Sequence, residues 1–192
     1  MIEKLINKNY SNSIPSDWKE KPFWSIATQK SIKGEDNLQL LSIYLKKGVI
    51  KFADVKTKRT NVTSDDKSKY QRVDPGDFVM NNQQSWRGSV GISQYKGIVS
   101  PAYLIFEISK ELNSIYANYL FRDKFMVEKY LISSRGVGSI QRNLHFPSLK
   151  TVKVLIPPTK EQKIISQFLD KKMKKIDILI ENIEEKIELL KE

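Results

Sequence analysis

After the breaker Pro157-Pro158 the chain runs to Glu192 without another Gly or Pro, and along that stretch Leu169, Met173, Ile176, Ile180, Ile183, Ile187 and Leu190 recur in steps of four and three. That alternation is the a/d seam of a left-handed coiled coil. It predicts one continuous helix, opened by Thr159 as N-cap with Gln162 at the third helical position as a capping box. At about 1.5 Å per residue such a helix reaches some 45 to 50 Å, longer than a small domain can cover, so the seam calls for a partner helix. The competing expectation is a helix packed on its own domain, using Ile165, Phe168, Ile178 and Leu179, which lie off the seam. Asp170, Asp177 and Glu184 fall at e and Lys172 and Lys186 at g, a pattern that favours parallel pairing, though exposed ion pairs contribute only tenths of a kcal/mol each.

The body, residues 1–158, reads differently from the helix, residues 159–192. Strand-like runs at Leu40 to Tyr44, Asp77 to Met80, Gly97 to Val99 and Leu104 to Ile108 are cut by turn signals at Asp74-Pro75-Gly76 and Arg87-Gly88. A helix is expected over Leu112 to Tyr130, where Ile115, Tyr119, Leu120 and Met126 recur at roughly helical spacing, and a loop over Ser133 to Ser139. Short strands interrupted by helices give an α+β domain. The 192-residue chain is long enough to bury a core without staples, and it has no cysteine, so disulfides, thiolate metal sites and a cysteine nucleophile are excluded. With no run of about 18 apolar residues, the expectation is a soluble, cytoplasmic protein with no membrane partner.

Charge is unevenly placed. The chain holds 33 basic and 22 acidic side chains, of which the segment from Lys160 to Glu192 has eight each, leaving 25 and 14 in the body. A surplus of that size suits a polyanion, because each Lys or Arg set on a phosphate releases condensed counterions. A solvated basic surface or an anionic membrane surface are the alternatives on composition alone.

One stretch carries most of the chemistry. The strand ending in Met80 delivers Asn81-Asn82-Gln83-Gln84-Ser85-Trp86-Arg87-Gly88, four amides followed by an indole and a guanidinium. Amide side chains match adenine bidentately, a guanidinium matches guanine O6 and N7, and a flat ring stacks or packs. Candidate base readers are therefore Asn82, Gln83, Gln84, Trp86 and Arg87. Lys51, Lys56, Lys58 and Arg59 form a second basic cluster, suited to phosphate contacts that position without reading sequence. From Arg135 to Asn143 the run Arg-Gly-Val-Gly-Ser-Ile-Gln-Arg-Asn joins glycines to two guanidiniums and amides, which lets backbone approach a phosphate closely and adds Arg135, Ser139, Gln141 and Arg142 to the candidates. A solvated loop is the plainer reading of each segment.

Enzymatic readings find less support. His145 is the only histidine, no G-x-S-x-G elbow accompanies it, and no P-loop occurs. No metal-ligand spacing stands out. Asp54-Val55-Lys56 and Glu161-Gln162-Lys163 have the acid-x-Lys spacing of a metal-dependent nuclease, which arises readily by chance in a chain with 29% charged residues. A stand-alone nuclease and a coiled-coil adaptor without DNA affinity are the rival functions.

Taken in order, Ile14-Pro15-Ser16-Asp17-Trp18, Val73-Asp74-Pro75-Gly76-Asp77-Phe78-Val79 with its amide loop, Gly97-Ile98-Val99-Ser100-Pro101-Ala102-Tyr103 and Ile156-Pro157-Pro158-Thr159-Lys160-Glu161-Gln162 resemble the specificity subunit of type I restriction-modification systems. The resemblance implies a globular target-recognition domain with a mixed twisted sheet, followed by a coiled-coil spacer helix, and no catalysis by the chain itself. Members usually carry two such domains and two antiparallel helices; this sequence has one of each and looks like a half-subunit. It is therefore expected to form a homodimer through Leu169, Met173, Ile176, Ile180, Ile183, Ile187 and Leu190, reading a split site on double-stranded DNA. Phosphate positioning falls to Lys56, Lys58, Arg59 and Arg135, base reading to the amide loop with Ser139 and Gln141. The implied partners are methyltransferase subunits and, in some systems, a restriction subunit. S-adenosylmethionine, ATP and Mg belong to those partners, and no cofactor is expected on this chain.

Overall fold

The protein is described as a computed structural model that covers residues 15–35, 37–45, 47–55, 66–136 and 142–191. Strand β1 (Lys19–Pro22) leads into a single-turn helix α1 (Phe23–Ile26) and strand β2 (Ala27–Lys30). A hairpin of β3 (Leu41–Tyr44) and β4 (Gly48–Lys51) follows, then β5 (Gln71–Val73), β6 (Phe78–Asn81), β7 (Val90–Ile92), β8 (Gly97–Val99) and β9 (Tyr103–Ile108). Helices α2 (Ser114–Arg122) and α3 (Lys124–Ile132) come next. Then come a short hairpin, β10 (Ser134–Arg135) with β11 (Asn143–Leu144), a turn of helix α4 (Phe146–Leu149), β12 (Lys153–Ile156) and the long helix α5 (Thr159–Leu189).

The central sheet has the order β2-β9-β6-β7, antiparallel throughout, with Phe78 opposite both Phe106 and Ile92. The β3–β4 and β5–β8 ladders and the β1–β12 pair are antiparallel too, while the bridge between Leu40 and Ile98 runs parallel. The expected α+β class is what the structure shows, with antiparallel ladders and, among the described residues, the Leu40–Ile98 bridge as the parallel pairing. Four phenylalanines organise the main core: Phe78 stacks on Phe121 at 4.3 Å, and Phe23 meets Phe78, Phe106 and Phe121 edge-on at 5.6 to 6.3 Å. Fully buried aromatics of this kind contribute the largest share of apolar burial per residue.

The helix expected over Leu112 to Tyr130 is two helices. Asn113 caps α2, its Oδ1 accepting from Ile115 N and Tyr116 N at 3.1 Å, and Asp123 ends it while capping α3 through Phe125 N at 2.8 Å. Asp123 sits in extended backbone, because its short carboxylate competes for the amides of the next turn. The break also moves the inward face: Tyr116, Ala117, Phe121, Met126 and Tyr130 are buried, whereas Ile115 is half exposed.

The start of α5 corrects the capping box. Pro158 is the N-cap with no side-chain cap, and Thr159 is the first, exposed, helical residue. Gln162 is 1% exposed and faces the body. Its Nε2 donates to Pro157 O and Glu111 O at 2.9 and 3.0 Å, and its Oε1 accepts from Asn113 N at 2.8 Å. A buried amide left unbonded would cost more than a cap returns, so the side chain serves the interface. Packing on the body stops after three turns. Ile165 touches the main core, and Tyr119 Oη donates to Asp170 Oδ1 at 2.7 Å. Its burial, and then that carboxylate, push the Tyr119 phenol up to about 12. From Lys171 to Lys191 every residue is exposed, Ile178 and Leu179 included, so the expectation of a helix laid along its own domain holds for its first turns only. No helix among the described residues is long and apolar enough to cross a membrane.

Candidate nucleic-acid interface

The amide loop is built by the β6–β7 connection. Asn81 N donates to Ser89 O across its base, Gln84 N returns to Asn81 O, and Gln83 N is held by Asn81 Oδ1, all at 3.0 to 3.1 Å. A turn of 3-10 helix, Ser85–Arg87, closes on Gly88, whose φ of 92° lies in the left-handed region. A side chain there would be strained by that φ, and its Cβ would also stand 3.3 Å from Val127 Cγ2 of α3, against which the loop packs.

The second arginine-bearing segment arrives at the same place from far along the sequence. Leu144 N donates to both the carbonyl and the Oδ1 of Asn82 at 3.1 Å, which fastens β11 to the amide loop. Arg135 lies opposite Asn143 in the β10–β11 ladder, one residue further along. Arg142 stands just before the fastening point, and its guanidinium carbon lies 5.8 Å from the centre of the Trp86 ring, with that of Arg87 at 4.9 Å. The ring is fixed by its own Nε1, which donates to Gln83 O at 3.0 Å.

This geometry assigns different work to the loop residues. Arg87, Gln83 and Arg135 are exposed, while Gln84, Trp86 and Arg142 are half buried. Trp86 has two guanidiniums against its ring. Asn82 uses its Oδ1 to hold Leu144. The structure thus brings together Asn82, Gln83, Gln84, Trp86, Arg87, Arg135 and Arg142. Lys56, Lys58, Arg59, Ser139 and Gln141 lie outside the described residues. Lys51 sits over the Tyr95 ring at 5.4 Å, beyond the opposite end of β7 from the amide loop. Missed from sequence alone were the pairing of Arg142 with Trp86 and the support of the loop by α3; the only cue was that Arg142 belongs to the segment flagged for its glycines and arginines.

A second charged cluster is structural. Lys30 Nζ lies 2.6 Å from Asp77 Oδ2 and 3.0 Å from Asp74 Oδ2, Asp77 Oδ2 also accepts from Asp74 N at 2.6 Å, and Arg72 bridges Asp74 to Glu35. This lattice clamps the Asp74-Pro75-Gly76-Asp77 turn. Burial raises the Asp77 carboxyl above its ordinary value, whereas Asp74, though burial opposes it, is held low by Lys30 and Arg72. Among the described residues no cluster of His, Cys, Asp or Glu could hold a metal ion.

Residues 15–189 match the family model for the type I restriction modification DNA specificity domain, so the chain belongs to that family. Solved structures agree in fold. A chain from work on complex assembly and conformational transition of the type I R-M system superposes with a TM-score of 0.58 at 13% identity, covering 93% of this chain and 44% of that one. The HsdS subunit from Thermoanaerobacter tengcongensis gives 0.56 at 11% identity, covering 89% and 41%, and the type I restriction-modification S subunit from M. genitalium gives 0.53 at 18%, covering 90% and 44%. The chain spans less than half the length of the solved chains it matches, and carries one recognition domain with one long helix.

Proposed function

We propose that this chain is a DNA sequence-reading half-subunit without catalysis of its own, which directs methyltransferase subunits, and in some assemblies a restriction subunit, to a bipartite site. The single observation that supports the reading is the meeting of Arg87 and Arg142 at the Trp86 ring beside the amides Gln83 and Gln84, on two segments more than forty residues apart that Leu144 fastens through Asn82. Guanidiniums and amides presented together on rigid supports are the groups that read base edges. The phosphate-positioning role stays with Arg135 and with Lys56, Lys58 and Arg59, and the body, residues 1–158, acts as the recognition domain of a basic protein.

Two copies supply two half-sites. Met173, Ile176, Ile180, Ile183 and Ile187 are each 43 to 55% exposed on the part of the helix that projects past its packed first turns, a seam that a second copy covers. Antiparallel pairing, as in the two-helix members of the family, places the two recognition domains at opposite ends of the rod on a two-fold axis. S-adenosylmethionine, ATP and Mg are handled by the partner subunits. Mapping of methylated positions after co-expression with the cognate methyltransferase subunit tests the reading: a palindromic split motif supports it, and an asymmetric one requires a second, different recognition domain.

A further inference from the structure

The helix is joined to the body by a lock instead of a flexible linker. Gln162, on the first turn of α5 and buried against the chain leading into α2, makes three hydrogen bonds to backbone on two segments: Asn113 N and Glu111 O before α2, and Pro157 O before α5. Ser166 Oγ donates to Gln162 O at 2.7 Å, one turn on. Tyr119 Oη reaches Asp170 a further turn out, and on the near side Trp18 Nε1 donates to Glu161 Oε2 at 3.0 Å. The first and third turns of α5 are therefore hydrogen-bonded to the body, the second rests on its core through Ile165, and the rest projects free.

A rod held only at its base amplifies any rotation there. From Asp170 to Leu189 the axis extends about 28 Å, so a turn of about 10° at the base shifts the far end by about 5 Å, some one and a half base-pair steps of B-DNA. Length alone then does not fix where the recognition surface falls on the duplex.

We propose that Gln162 and the Tyr119–Asp170 pair are positioning residues that set the angle between recognition domain and rod, and through that angle the number of base pairs separating the two half-sites. The proposal rests on the reading of two copies on a split site. Gln162 carries the larger share, because it is buried and its three bonds join the segment before α2 to the segment before α5. Tyr119 and Asp170 add a second fixed point two turns away, which resists rotation that a single point would allow.

Because the 192-residue chain has no cysteine, the lock can be measured in that whole chain. Spin labels on Lys96→Cys, on the body, and Glu185→Cys, near the far end of the rod, diluted with unlabelled chain, report the distance distribution by double electron–electron resonance. In parallel, the unlabelled protein selects from a library of random duplexes. The unmodified chain is expected to give one narrow distance and one gap length. Gln162→Met and Tyr119→Phe are expected to keep the same half-site bases but broaden the distance and spread the gaps over about two base pairs or more. Should Gln162→Met not fold, Tyr119→Phe removes one hydroxyl at the surface and carries the test alone. Variants with a narrow distance and a single gap, or with a broadened distance and an unchanged gap, overturn the proposal. An undivided motif selected by the unmodified chain overturns instead the two-copy reading, and the gap claim with it, while the distance measurement still reports separately on the lock.

Discussion

Trp86→Leu separates sequence reading from electrostatic attraction. In the structure one indole orders two guanidiniums, Arg87 at 4.9 Å and Arg142 at 5.8 Å, and is itself fixed by the bond to Gln83 O. Without the ring both arginines rotate freely in the unbound protein, and immobilising a rotamer-rich side chain on binding costs about 0.5 to 1.5 kcal/mol. Two such side chains give about 1 to 3 kcal/mol, or roughly 5- to 140-fold in Kd for the target duplex. The formal charge is unchanged, so attraction to a scrambled duplex should persist, as should the slope of log K against log salt, which counts neutralised phosphates. Fluorescence anisotropy on both duplexes across about 50 to 200 mM salt measures these quantities. Trp86→Phe keeps an aromatic face and should fall between. Equal loss on the two duplexes, or a changed salt slope, would refute the view that Trp86 acts by holding the guanidiniums.

Ile183→Asp puts a carboxylate into the exposed seam from each of two copies; losing the burial of one Ile per chain removes about 1.5 to 3 kcal/mol each, so sedimentation at micromolar concentration should show a monomer with an unchanged circular-dichroism spectrum. Gly97→Ala places a Cβ 2.5 Å from Gln39 O and 2.6 Å from Leu41 Cγ, and this overpacking between β8 and β3 should destabilise by about 1 to 3 kcal/mol, read from the urea midpoint. Burial raises the phenols of Tyr116, to about 12, and of Tyr130, well above 10.0. Folded pKa values above the unfolded ones give stability that is complete below pH 10.0 and drains as pH rises toward about 12; a melting temperature constant across that window would contradict the burial of both rings.

Legibility from sequence followed the range of the interactions. The rod was readable because its signal is a local period, and the strands at Leu41–Tyr44, Phe78–Asn81, Gly97–Val99 and Tyr103–Ile108 fell close to their expected places because turn residues bracket them. β1 and β12 were not foreseen: Lys19–Pro22 is polar and short, and it is a strand only because Lys153–Ile156, more than 130 residues away, pairs with it. The break at Asp123 was hidden for a related reason. Apolar residues continue on both sides of it, and only the carboxylate's competition for the Phe125 amide divides the run.

Gln162 shows how one residue type supports two opposite inferences. Read locally, Gln three positions after Thr159 is a capping box; in the fold it is the most deeply buried polar group at the junction of rod and body, bonded to chain from before α2 and before α5. The amide loop divides in a similar way. Its composition announces groups able to read bases, yet Asn82 and Trp86 are engaged in holding Leu144, Arg87 and Arg142. Residues with the chemistry of recognition are thus split between those that face outward and those that fix them, and periodicity cannot tell the two apart because Leu144 and Arg142, the partners that set Asn82 and half of the Trp86 contacts, are more than fifty residues distant. On the proposed reading specificity rests on the junction between the β6–β7 loop and the β10–β11 hairpin, so exchanging either segment alone between relatives should scramble the choice of bases, whereas exchanging both together should transfer it.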